Sequence, residues 1–220
     1  MTQNNSDKLR TRLKATRIHI PVANRQRGSL LMRARLFTWF AITSDEARDA
    51  GLNAPTSIAA FWPLSDEPDL RPLLTQWDEA GILVTLPVMS GRGEPLTFHR
   101  WTADTRLVEG SFGVKEPSAD SEQIEPDVVL VPTLGFTTHL DRMGYGQGYY
   151  DRTLQAMAAR GRAPVTIGIA WNEGAIEAIE PDYQPASHDY RLDGILTPDG
   201  WVGGVAPALL PSTQPGGTSA

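Results

Sequence analysis

Three alternating glycines, Gly144, Gly146 and Gly148, stand between Arg142 and Asp151, and together these residues have the types and spacing to hold an anion. Without Cβ atoms, glycine backbones can curl until successive N–H groups converge on one oxyanion. A helix reads from about Tyr149, so its unpaired N–H groups and positive dipole end point at the same spot. Arg142 offers a guanidinium fork for phosphate oxygens, and Asp151 a hard carboxylate ligand for Mg²⁺. Those are the needs of a nucleoside triphosphate, and the segment reads as a phosphate site. It is not a Walker A loop, because Gly148 is followed by Tyr149 and Tyr150 rather than Lys-Ser/Thr. Nor does the spacing meet the G-x-G-x-x-G dinucleotide fingerprint. The glycines alone also fit a plain strand-to-helix turn; Arg142, the paired tyrosines and Asp151 favour phosphate.

The elements that must position this turn alternate. Leu9, Leu13, Thr16 and Ile20 recur at helical spacing and predict a helix over 7–19, ended by Pro21. A second helix is expected over 24–40 with Leu30, Ala34, Phe37 and Ala41 as its apolar stripe, then a polar connector over 42–55. A short strand at 57–61 stops at Pro63, and Asp69 caps a helix bearing Leu70, Leu73, Leu74 and Trp77 that closes at Gly81. Residues 82–88 read as a buried strand and 96–101 as an edge strand. Val128 to Val131 lead into the glycine turn, and a helix over 149–160 turns Tyr150, Leu154, Met157 and Ala158 inward. Strands follow at 165–171 and 192–197. The pattern implies an α/β fold: a three-layer αβα domain with a mostly parallel sheet, one domain over 1–206, and a disordered Pro/Gly/Ser/Thr tail over 207–220. Ligands in such sheets sit beyond the carboxyl ends of the strands, where both the glycine turn and Phe61-Trp62 fall.

With 220 residues, 40% hydrophobic and 21% charged, the composition is that of a globular domain with a substantial core. The absence of cysteine excludes disulfides and thiolate chemistry and is compatible with a reducing compartment. A formal charge of −6 argues against broad nucleic-acid affinity, and no apolar run is long enough to span a bilayer, so the cytoplasm is the expected address. Residues 1–40 hold nine Lys/Arg against the single acid Asp7, a local +8 that leaves −14 elsewhere. A solvated helix face, a transit peptide and cations reaching a bound anion all fit this cluster. Histidines 19, 99 and 139 have no ligand spacing, so no transition-metal site is expected.

Pro132, Phe136, Arg142, Gly144, Tyr145, Gly146, Gly148, Tyr149, Tyr150, Asp151 and Arg152 fall in register with one family pattern. Leu9-Arg10 with Leu13 and Arg17, Phe61-Trp62-Pro63 with Glu67, Leu86-Pro87-Val88, Phe98, Glu116-Pro117 and His188-Asp189 agree with it in order. The chain thus resembles the 5-formyltetrahydrofolate cyclo-ligase (5,10-methenyltetrahydrofolate synthetase) family over about residues 8–197. It departs from the pattern at Ser6, where the family has lysine, and at Thr137, Leu140, Met143 and the Asn172-Glu173-Gly174 segment.

The resemblance implies ATP- and Mg²⁺-dependent conversion of 5-formyltetrahydrofolate to 5,10-methenyltetrahydrofolate, with ADP and phosphate released. It assigns the triphosphate to Arg142, Gly144, Tyr145, Gly146, Gln147, Gly148, Tyr149 and Tyr150, joined by Arg10 and Lys8. It gives the folate to Trp62, Glu67, Tyr145 and Tyr149, catalytic roles to Arg142 and Tyr149, and Mg²⁺ to Asp151 and Asp189. The expected partners are a reduced folate and ATP, with a monomeric chain. A non-catalytic folate- or nucleotide-binding paralogue is the competing reading.

Overall fold

The computed structural model describes residues 3–185 and 190–208. Its main sheet has seven strands: β1 (Ser57–Ala59), β2 (Leu83–Met89), β3 (Leu96–Arg100), β6 (Val128–Pro132), β9 (Val165–Ile169), β10 (Gly194–Thr197) and β11 (Gly200–Trp201), in the order β11-β10-β9-β6-β1-β2-β3. The five central strands run parallel, and the edge strands β3 and β11 pair antiparallel. Two small ribbons complete the strands: β4 (Val108–Glu109) with β5 (Lys115–Glu116), and β7 (Gly135–Phe136) with β8 (Arg142–Met143). From β1 the chain moves outward to β2 and β3, then returns to the other side of β1 with β6. The order therefore reverses between β1 and β6, and at such a switch point the diverging loops leave a crevice beyond the strands' carboxyl ends.

Both faces of the parallel strands are apolar, as a doubly covered sheet requires. Ile58, Val128, Leu130, Ile167 and Leu196 pack with Met32, Leu36, Trp39 and Phe40 of α2 (Val22–Asp49) and with Leu73, Leu74 and Trp77 of α3 (Arg71–Glu79). The alternate residues Ala59, Val129, Val131 and Ile195 pack with Leu154 and Met157 of α4 (Tyr149–Ala159). The expected three-layer αβα architecture is present. The first helix, α1 (Gln3–Ile18), belongs to neither layer: Leu9 and Leu13 bury against Leu134, Met143, Ile176 and Tyr183 beyond the carboxyl end of the sheet.

Several expectations are corrected. Helix α2 runs to Asp49, through the stretch read as a polar connector, because Ser44 and Ala47 continue its buried stripe. Its stripe is also different: Leu30, Ala34, Phe37 and Ala41 face outward, and Met32, Leu36, Trp39 and Phe40 face the core. Asp69 is not the N-cap of α3; Leu70 is, while the Asp69 carboxylate accepts from the Arg71 N–H (3.1 Å) and side chain (2.8 Å). Ala158 of α4 is exposed, and Thr153 takes an inward position, donating to the Tyr149 carbonyl. Pro207, placed in the tail by sequence, is buried, and its carbonyl accepts the Trp39 indole N–H at 2.8 Å. Residues 209–220 lie outside the described residues.

Candidate active site

A cleft of about 800 Å³ opens at the β1/β6 switch point, within the usual range for small-molecule sites. The β1–α3 connection supplies Phe61, Trp62, Leu64 and Glu67; the end of β6 supplies Pro132 and the segment after it residues 142–152; α1 supplies Ser6, Arg10 and Lys14.

The β7–β8 hairpin delivers Arg142. Thr137, one of the departures from the family pattern, closes its turn: its hydroxyl donates to the Asp141 carboxylate (2.9 Å) and accepts from the Asp141 N–H (3.2 Å). Leu140 takes φ 67°, a left-handed conformation that costs a β-carbon residue about 1 kcal/mol. Packing of its side chain on the α4 cluster offsets that cost. Past the hairpin, Gly146 and Gly148 have φ of 93° and 66°, and Gly148 forms the N-cap of α4. A Cβ on Gly144 would lie 2.5 Å from a guanidinium nitrogen of Arg142, so a side chain there would push the guanidinium off the turn.

Arg142 and Asp151, expected to serve phosphate and metal separately, pair with each other. One guanidinium nitrogen reaches both Asp151 oxygens at 3.0 Å, the other donates to the Pro132 carbonyl at 3.3 Å, and the buried Nε has no partner among the described residues. Arg142 also lies over the Tyr150 ring, 5.9 Å from its centroid, and the buried Tyr150 hydroxyl likewise has no partner among the described residues. The cation is thus preset beside the glycine turn, with donor capacity left over. No cluster of three His, Cys, Asp or Glu that could hold a metal occurs among the described residues. A hard divalent ion fits at Asp151 only if phosphate oxygens complete its shell, which is how Mg²⁺ is commonly held.

Across the cleft sits a buried polar chain. Glu67 is 8% exposed; its Oε2 accepts the Leu64 N–H at 2.8 Å and its Oε1 accepts the Tyr145 hydroxyl. Arg17, 6% exposed, donates to the same hydroxyl oxygen and to Asp66 Oδ2 at 2.7 Å, and its guanidinium lies over the Tyr145 ring. The Trp171 indole N–H donates to the Asp66 carbonyl at 2.8 Å. Burial pushes the Glu67 carboxyl above its ordinary value, against the pull of Tyr145, Leu64 and Arg17. Burial, then the neighbouring Glu67 charge, pushes the Tyr145 phenol up, so it remains a donor at neutral pH.

The structure gathers most of the expected residues on one cleft: Arg10, Trp62, Glu67, Arg142, Gly144 through Tyr150, and Asp151 all line it. Arg10 donates to the Gly144 carbonyl at 3.2 Å, tying α1 to the glycine turn. Tyr149 lies under the Arg152 guanidinium, 5.1 Å from ring centroid to Cζ. Lys8 is exposed and off the lining; Lys14 stands on it instead, 5.6 Å over the Tyr145 ring. Asp189 and His188 lie outside the described residues. The sequence reading gave no role to Lys14, Asp66 or Arg17. The missed signal was the spacing of Arg10, Lys14 and Arg17, which puts three cations on one helix face beside the Leu9/Leu13 stripe.

A crevice at a sheet's switch point, with a glycine turn and arginine on one wall and a buried carboxylate on the other, defines an α/β small-molecule enzyme fold. The family model of the 5-formyltetrahydrofolate cyclo-ligase family matches residues 2–198. The chain is 30% identical over 206 residues to 5-formyltetrahydrofolate cyclo-ligase of Mycolicibacterium smegmatis, covering 90% of this chain and 96% of that protein. It is 30% identical over 175 residues to the Escherichia coli K12 protein of the same name, covering 72% and 93%. The NMR structure of Aquifex aeolicus 5,10-methenyltetrahydrofolate synthetase shares the fold, with TM-score 0.68 at 22% identity over 89% of this chain and 91% of that one. The chain belongs to the 5-formyltetrahydrofolate cyclo-ligase family and is a cyclo-ligase. Among the described residues, no helix is long and apolar enough to cross a membrane.

Proposed function

We propose that the cleft converts 5-formyltetrahydrofolate to 5,10-methenyltetrahydrofolate with ATP and Mg²⁺, releasing ADP and phosphate. The observation that carries this reading is one cleft holding an anion-binding turn with Arg142 opposite a buried carboxylate, Glu67, with free acceptor capacity. A formamide carbon is a poor electrophile and its oxygen a poor leaving group. Transfer of the γ-phosphoryl group to the formyl oxygen activates the carbon; N10 attacks it, and phosphate departs with that oxygen as the ring closes. The chain's task is positioning and charge neutralisation.

In this assignment the amides of Gly144 to Gly148 and the Arg142 guanidinium hold the terminal phosphates, with Arg10 and Lys14 as further cations at the cleft wall. Glu67 accepts the pterin's N–H donors, Trp62 offers its ring face, and Tyr149 and Tyr150 flank the formyl group. Asp151, beside the glycine turn on the cleft lining, would hold Mg²⁺, with Asp189 as the second candidate. Such an ion would supply charge neutralisation for the phosphates. The assay is direct: the methenyl chromophore should grow from 5-formyltetrahydrofolate only with ATP, and chelation of Mg²⁺ should abolish it. Folded protein giving no product would reject the reading.

Glu67 sets an acid limb. Its raised pKa means that KM for the folate climbs as pH falls through a midpoint above the ordinary carboxylate value of 4.5. Rate profiles should show that limb in the wild type and not in Glu67→Gln. The sign for stability is opposite to that of a salt-bridged acid: between the ordinary and the raised value the folded state holds more protons, so stability falls as pH rises.

Arg17 touches no substrate in this scheme and acts through Tyr145 and Asp66. Arg17→Met should cost about 3 kcal/mol of stability, the lower end for breaking a buried pair, read as a fall in denaturant midpoint. It should also raise KM for the folate more than KM for ATP. Equal effects on both would assign Arg17 to stability alone.

A further inference from the structure

Glu116 is one carboxylate on the cleft to which the proposed reaction gives no task. It stands on β5, and the β4–β5 ribbon brings it onto the lining, which Pro87, Met89, Leu96 and Val114 share. Its Oε2 accepts the N–H of Met89, the last residue of β2, at 3.3 Å, and this seats the carboxylate at the carboxyl end of that strand. Gly110, just past β4, makes the room. A Cβ there would lie 2.4 Å from Glu116 Cδ and 2.7 Å from each carboxylate oxygen, so a side chain would displace the group. The Gly110 N–H donates to the Val114 carbonyl at 2.8 Å and closes the loop between the two strands.

Three carboxylates line the cleft among the described residues, and their commitments differ. Asp151 accepts from Arg142 on both oxygens. Glu67 accepts one bond on each oxygen and faces the pterin in the proposed assignment. Glu116 has one oxygen committed; among the described residues the other accepts no hydrogen bond and the group makes no ion pair. The phenols of Tyr145 and Tyr150 are no alternative bases, because burial pushes both up and they keep their protons at neutral pH.

Ring closure releases a proton that needs such an acceptor. N10 carries a hydrogen in 5-formyltetrahydrofolate and none in the methenyl product. When the N10 lone pair attacks the phosphorylated formyl carbon, the new N–C bond leaves N10 positively charged. It has then no electron pair with which to expel phosphate until that hydrogen departs. An arylammonium proton is acidic enough for a carboxylate to take.

We propose that Glu116 is the general base that takes the N10 proton as the ring closes. The assignment rests on the cyclo-ligase reaction proposed above and adds a residue to one of its steps. The proton passes to the uncommitted oxygen Oε1, and the electrons of the N10–H bond return to N10. They then form the N10–carbon double bond as the carbon–oxygen bond breaks and its pair leaves with phosphate. No further reactant is needed.

Rapid-quench single turnovers, with ADP and the methenyl chromophore followed separately, test this on Glu116→Gln. Glutamine keeps an acceptor for the Met89 N–H and takes no proton. ADP formation should stay within about threefold of the wild type, while chromophore formation slows by about 10²-fold or more, the scale of a positioned base. KM for the folate should change little. Glu116→Ala should show the same split, and added acetate, which matches the atoms removed, should restore chromophore formation in proportion to its concentration where chloride at equal ionic strength does not. A Glu116→Gln enzyme that forms the chromophore within about threefold of wild type overturns the assignment, since that is well under 1 kcal/mol. Equal slowing of ADP and chromophore also overturns it, by making Glu116 a structural support, and so does a Glu116→Ala enzyme that acetate leaves unchanged. A wild type that forms no chromophore rejects the cyclo-ligase reading itself; an active wild type with an unaffected variant rejects the role of Glu116 alone.

Discussion

Arg142→Ala is expected to lower kcat/KM by about 10²–10³-fold, the scale of removing one preorganised donor to a developing charge. The larger part should appear in kcat if, as proposed, the guanidinium faces an oxygen whose charge changes during phosphoryl transfer. The Asp151 contact makes the expectation specific. Both Asp151 oxygens accept from Arg142 at 3.0 Å, so deleting the arginine also leaves an unmatched carboxylate beside the glycine turn. Arg142→Ala/Asp151→Asn should therefore fall well short of additive. Arg142→Lys should recover part of the loss as a point charge without the fork. Stopped-turnover assays with circular dichroism controls decide the matter; a folded Arg142→Ala enzyme within about threefold of wild type would remove Arg142 from the reaction, since threefold corresponds to well under 1 kcal/mol.

What the sequence made legible follows from how local each signal was. The parallel strands were readable because burial on both faces leaves continuous apolar runs such as Val128 to Val131. The glycine turn was readable because its residue types answer a backbone requirement: positive φ at Gly146 and Gly148 and close approach at Gly144. The two-strand hairpin carrying Arg142 was not, since Gly135-Phe136 and Arg142-Met143 are too short to show a period and are fixed by Thr137 and Asp141.

Helix α2 failed for a more instructive reason. It has apolar residues on both faces, so a stripe at three- and four-residue spacing could be drawn through either Leu30, Ala34, Phe37 and Ala41 or Met32, Leu36, Trp39 and Phe40. Periodicity reports that a face is apolar and not which surface covers it. The Arg17–Tyr145–Glu67 chain was beyond any local signal, because its members are 128 and 78 residues apart and meet only when α1 closes over the sheet's end. Taken alone, none of the three gives any sign of the other two.

Glu67→Ala carries the second large expectation: KM for the folate rises by about 30- to 100-fold, corresponding to ~2–3 kcal/mol for hydrogen bonds to a charged acceptor, while KM for ATP moves little. The carboxylate has one bond committed on each oxygen, to Leu64 N–H and to the Tyr145 hydroxyl, which orients it and leaves lone pairs free for a ligand's N–H groups. Glu67→Gln should lie between, since it keeps one oxygen acceptor and turns an N–H toward donors. Tyr145→Phe should cost less, about 1 kcal/mol, because it removes a bond that aims the carboxylate and keeps the ring beside Lys14 and Arg17. The order Ala, Gln, Phe in falling KM for the folate is the signature of an acceptor held in place by its neighbours. If Glu67→Ala instead raised both KM values alike, the carboxylate would be holding the cleft together, and the pterin would have to be recognised elsewhere along its wall.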